Sequence, residues 1–108
     1  MTGYCVVLVT CANRKEAKAI GNEIVKLKLA ACANIIGQIN SLFFWNKKLQ
    51  SEKECLVVFK TRISRFPKLS TQVKKMHSYS VPEIIALPII SGNREYLNWV
   101  KLESGGRS

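Results

Sequence analysis

Three side chains combine reactive chemistry with a suggestive setting: Cys32, His77 and Glu83. His77 is the only histidine of the chain and sits in the stretch M-H-S-Y-S-V-P-E-I-I-A-L-P-I-I, residues 76–90. An imidazole can bind a metal or exchange a proton near neutral pH. Cys32 offers a soft thiolate, and Glu83 places a carboxylate directly after Pro82. A cysteine with a histidine suits soft or borderline ions, copper above all. The set is incomplete, because a structural zinc takes four ligands. Self-association would raise the count by bringing neighbouring copies together. Each residue also has a plainer reading. His77 could be an imidazole at a helix end, near the negative pole of the dipole. Cys32 could be a small buried residue. Glu83 could pair with Arg62, Arg65 or Arg94.

Catalytic constellations are scarce, and no enzyme is expected. With no Asp and one His, a Ser-His-Asp triad cannot form within the chain. Paired carboxylates would have to come from Glu52, Glu54, Glu83, Glu95 or Glu103, and only Glu83 has an unusual context. Gly21 and Gly92 stand alone, without a phosphate-binding G-x-x-x-x-G-K. The four cysteines, Cys5, Cys11, Cys32 and Cys55, form no C-x-x-C pair, which removes zinc-ribbon and thioredoxin-like readings.

The elements that must position these groups follow from the apolar pattern. Tyr4 to Thr10 is a continuous β-branched run, the signature of a strand buried on both faces. Asn13 caps a helix, and Glu16 completes a capping box. Ala17, Ile20, Ile24 and Leu27 form one helical stripe. Residues 30–36 return as a strand, Gly37 marks a bulge, and the chain stays extended to Trp45. Asn46, Lys47 and Lys48 turn it back into a strand that ends at Thr61. Ser64 is the expected cap of a second helix, with Pro67 in its first turn and the stripe Phe66, Leu69, Val73, Met76. A strand over 84–90 and a short last helix carrying Tyr96, Leu97, Trp99 and Val100 follow.

The two halves repeat strand, helix, strand, about 50 residues apart. Joined by a hairpin, they predict an α+β, ferredoxin-like βαββαβ antiparallel sheet, with an extended hairpin between the second and third strands and a short C-terminal helix. Right-handed crossovers put the first and third strands in the centre. One domain over 1–103 is expected, with 104–108 a disordered tail or an expression remnant. Both crossover helices cover one face, leaving the other to the last helix alone. The hairpin also carries Leu42, Phe43, Phe44 and Trp45 on both its faces. Such an edge and patch would be an aggregation hazard in a lone domain, so a second copy is expected to pair with it.

The net charge is +10, from 17 Lys and Arg against 7 acids. The cations are scattered over helix faces and turns without interleaved exposed aromatics, which argues for a solvated basic surface and against a nucleic-acid groove. No apolar run reaches the length of about 20 residues of a membrane-spanning helix, so no direct membrane insertion is expected. No basic region and cleavage site precede the first strand, and cytoplasmic residence follows by default.

These blocks resemble the CutA divalent-cation-tolerance family over residues 4–101. The resemblance rests on V-T-C-A-N (9–13), L-A-A-C-A-N-I-I (29–36), Trp45, F-K-T-R (59–62), H-S-Y-S-V-P-E-I-I-A-L-P-I (77–89) and G-N-R-E-Y-L-N-W (92–99). It implies a homotrimer whose long hairpins pair between subunits, and a role in tolerance of copper and other divalent ions, with copper bound. Cys32, His77 and Glu83 fall in family motifs and are the implied metal ligands. Trp45, Phe43, Phe44, Tyr79 and Trp99 are the expected cleft and interface residues. Ser78 departs from the proline usual after the histidine, and Met76 stands where some members have a second histidine. The same trimer is shared with PII-like proteins that bind small anions between subunits. A PII-like sensor, or a scaffold anchoring a protein partner, is therefore the alternative.

Overall fold

The computed structural model describes residues 2–105. Four strands, β1 (Tyr4–Cys11), β2 (Cys32–Trp45), β3 (Lys48–Arg62) and β4 (Ile84–Pro88), form one antiparallel sheet in the order β2-β3-β1-β4. The helices are α1 (Arg14–Lys26), α2 (Phe66–Met76) and α3 (Arg94–Glu103), with a short 3-10 turn, Ile63–Arg65, before α2. This is the ferredoxin-like arrangement expected from the repeated halves, with β1 and β3 central.

Alternation decides where the core lies. Cys5, Val7, Val9 and Cys11 of β1 and Cys55, Val57, Phe59 and Thr61 of β3 are buried beneath α1 and α2. From the helices they meet Ala17, Ile20, Ile24, Leu69 and Val73. The intervening residues Val6, Leu8, Leu56 and Val58 face the other way and are only half-buried. Burial of both faces, expected from the apolar runs, is thus not reached within one chain. Ile36, Ile85 and Leu87 on that open face remain 46–48% exposed. Its far end is covered by α3, where Arg62 donates from Nε to Ser104 Oγ at 3.2 Å. Ser104, assigned to the tail from the sequence, is buried and donates to the Val100 carbonyl at 2.6 Å. Residues 106–108 of that tail lie outside the described residues.

Helix starts differ in part from expectation. Asn13 caps α1 by accepting the Glu16 amide at 2.9 Å, but the Glu16 carboxylate reaches the amide of Ala12 and not that of the cap. Ser64 does not cap α2, because it lies inside the 3-10 turn; Arg65 holds the cap position without a side-chain bond.

The sheet pairing of β1 with β3 ends at Cys11 opposite Cys55. Beyond it β2 and β3 continue as a two-stranded arm, Ile39 opposite Glu54 to Trp45 opposite Lys48. A register shift between Ile36 and Ile39 marks the bulge at Gly37 and Gln38. Asn46 and Lys47 both have positive φ (52° and 62°), the two-residue turn whose twist matches a hairpin. The arm is about 23 Å long at about 3.3 Å per residue, and it stretches the molecule to 49 × 25 × 22 Å. Leu42, Phe44, Trp45 and Leu49 on it are 64–73% exposed.

Candidate metal centre and adjoining cleft

The end of β1 runs straight into the cap of α1, and α2 ends alongside it. Three donors therefore meet at one junction. Cys11 is the last residue of β1, Glu16 lies in the first turn of α1, and His77 caps the end of α2. Their ligand atoms all lie within 4.8 Å of one another, the one such group of three among the described residues. The His77 side chain is fully buried, and its Nδ1 lies 3.8 Å from Glu16 Oε1.

Both ring nitrogens of His77 are occupied. The Tyr79 amide donates to Nδ1 at 3.0 Å, which leaves the ring proton on Nε2 to be donated to the Thr10 carbonyl at 2.7 Å. Each Glu16 oxygen likewise accepts an amide, from Ala12 at 3.0 Å and from Ser78 at 2.8 Å. Burial alone raises the Glu16 carboxyl, but the bonds from Ala12 and Ser78 and the neighbouring His77 bring it below the usual value. Burial, then the nearby Glu16, Cys55 and Glu54, push the Cys11 thiol up to about 12. Sulfur, oxygen and nitrogen donors suit a borderline divalent ion in kind. To hold such an ion, Cys11 would have to release its proton and His77 Nδ1 to give up the Tyr79 amide.

The expected site residues divide accordingly. His77 is in the cluster; Cys32 and Glu83 are not. Cys32 opens β2 opposite Lys60, whereas Thr10, which binds His77, lies opposite Leu56. Four residues along β3 offset the two by about 13 Å in the strand direction, and they lie on opposite sides of β3. Glu83 is exposed, one residue before β4, at the same end of the sheet as His77. It makes no ion pair with Arg62, Arg65 or Arg94 among the described residues. Glu16 was missed as a donor because it already had a structural reading as a capping carboxylate, and Cys11 because it was weighed only for a C-x-x-C pair. Their signal was position: both flank the strand-to-helix junction on which the end of α2 must pack.

A cleft of about 740 Å³ adjoins this junction on the open face of the sheet. Phe43, Trp45 and Tyr79 line it together with Glu52 and Glu54. The Tyr79 hydroxyl donates to the buried Glu54 carboxylate at 2.6 Å. Burial and that hydrogen bond raise the Tyr79 phenol well above its usual range. Phe44 points to the opposite face of the arm, since neighbours alternate along a strand. Trp99 lies apart on α3, with its ring 5.6 Å from that of Tyr96.

A split βαββαβ domain with a projecting arm, a Cys–Glu–His junction and an aromatic cleft defines the class of ferredoxin-like α+β domains. The family of CutA1 divalent ion tolerance proteins matches residues 5–103, and the chain belongs to it. The chain is 43% identical to the divalent-cation tolerance protein CutA of Thermus thermophilus over 100 residues, covering 93% of this chain and 97% of that one. It is 48% identical to the chloroplastic CutA of Arabidopsis thaliana, covering 89% of this chain and 53% of that one. The chain thus spans about half the length of that plant relative. A solved divalent cation tolerance protein from Thermus thermophilus superposes with a TM-score of 0.92 at 42% identity, covering 94% and 99% of the two chains. A periplasmic member from Archaeoglobus fulgidus superposes at 0.91 with 36% identity, covering 94% and 98%.

Proposed function

We propose that the protein is a non-catalytic, homotrimeric divalent-cation-tolerance protein that binds copper or a related divalent ion, anchored by His77. The observation that supports this reading most is the convergence of Cys11, Glu16 and His77 within 4.8 Å. Glu83, exposed at that end of the sheet, and Cys32, at the other, would add donors through neighbouring copies. The arm and the open sheet face, with their exposed apolar residues, are the surfaces through which three copies would associate. Cytoplasmic residence belongs to the same reading and is supported by four free cysteines, as a reducing compartment favours. Among the described residues no helix is long and apolar enough to cross a membrane.

Calorimetric titration of Cu²⁺ into wild type and His77→Ala tests the assignment. Binding in the wild type and its loss in the variant are expected; equal affinity would remove His77 from the site.

The aromatic cleft supports a second reading, a PII-like small-ligand sensor or protein-anchoring scaffold. A thermal-shift screen with nucleotides and organic anions checks it, and a flat response counts against a small-ligand sensor.

A further inference from the structure

We propose that the groove between the end of α1 and the outer side of α2 docks a short acidic peptide segment of a partner protein, anchored by a large apolar side chain. This surface is separate from the metal junction, the cleft and the arm. It stays exposed whether the chain acts alone or associates through its open face, because α1 and α2 both lie on the opposite face.

The groove has a volume of about 460 Å³. Its floor is apolar, from Leu27, Leu29 and Pro67, and Lys68 and Lys75 stand on its rim with Gln72 between them. Leu27, at the end of α1, is 45% exposed. Neither rim lysine has an ion-pair partner among the described residues. The charge around them is one-sided: α1 and α2 carry seven cations against two carboxylates, Glu16 and Glu23. Glu16 is already tied to two amides. α2 itself holds Lys68, Lys74 and Lys75 and no acid.

These features select the occupant. Lys68 and Lys75 are seven residues apart on α2, about 10 Å along the axis. On an extended peptide, carboxylates four residues apart share one face and lie about 13 Å apart, within reach of both flexible lysine side chains. An apolar side chain between them would fill the recess over Leu27 and Pro67. Leu27 and Pro67 are the exposed apolar residues of the groove, too small an apolar area to hold the protein on a membrane surface. No aromatic ring lines the groove, so it lacks the stacking platform on which single-stranded nucleic acids rely.

The test is fluorescence anisotropy with a labelled octapeptide, Gly-Glu-Glu-Leu-Leu-Glu-Glu-Gly, against the same peptide with serines for leucines. The leucine peptide is expected to bind saturably and to lose about tenfold in affinity on Lys68→Glu/Lys75→Glu. Lys15→Glu/Lys18→Glu makes the same charge change at the other end of α1 and is expected to leave binding within about twofold. Circular dichroism establishes that both variants keep the fold. Equal losses in the two variants would mean bulk attraction and overturn the proposal. So would equal affinity for the two peptides, or no saturable binding, or displacement of the leucine peptide by a 12-nucleotide RNA whose own affinity for the two charge variants is the same. A failure here leaves the copper titration untouched, since no residue is shared.

Discussion

At the scale of single residues, the junction of Cys11, Glu16 and His77 is a brace as well as a set of donors. Glu16 ties the end of β1 to the loop after α2, and His77 ties that loop to Thr10. The carboxylate is held ionised, with its folded pKa below the unfolded value of about 4.3. Its stabilising contribution is therefore complete above that unfolded value and is lost as pH falls through the folded one. Glu16→Gln is expected to destabilise the protein by about 1–2 kcal/mol at pH 7. The gap between variant and wild type should close towards pH 3. Urea unfolding at both pH values measures it, and a gap independent of pH would show that charge is not what holds the two amides. Cys11 adds a second consequence for the proposed copper site: with its thiol pushed to about 12, an ion held by it would displace a proton, so affinity should rise with pH. Calorimetry at pH 6 and pH 8 reads this directly, and a lower affinity at pH 8 would take Cys11 out of the ligand set.

At the scale of elements, local rules explain most of the positioning, with informative departures. Gly21 lies in the middle of α1, buried against β2. A Cβ there would meet Ala33 Cβ at 3.5 Å and Ile35 Cδ1 at 3.8 Å, ordinary contact distances. Gly21→Ala removes backbone entropy from the unfolded chain without a clash, and should stabilise by about 0.5–1 kcal/mol. A lowered melting temperature would mean that α1 sits closer to β2 than these distances state. The start of α2 departs from the expected serine cap because β3 runs to Arg62, leaving Ser64 inside the 3-10 turn that bends the chain into the helix.

At the scale of the whole molecule, the arm and the open face share one problem. Trp45 and Phe44 are 64% and 73% exposed, and Ile36, Ile85 and Leu87 on the open face are 46–48% exposed. Association through these surfaces would cover both. Trp45→Ala should then weaken assembly by about 2 kcal/mol or more, as loss of an aromatic anchor does. Sedimentation at micromolar dilution distinguishes a species of three 12.2 kDa chains from a single one. An unchanged species with unchanged melting would show that Trp45 does not hold the copies together.

The order of strands and helices, the central place of β1 and β3 and the outsized hairpin were legible from the sequence by itself. They depend on periodicity and turn chemistry, which act over a few residues. So was the place of His77 at the end of the second helix. What only the tertiary structure decided is which donors stand beside it. Cys11 and Glu16 join His77 from more than 60 residues away because β1, α1 and α2 end at one corner, while Cys32 is carried to the other end of the sheet by the register of β2 on β3. A strand's faces are written in alternating residues, but its neighbours depend on pairing with distant segments. The continuous apolar runs of β1 and β3 predicted burial on two sides, and one chain has helices enough for one.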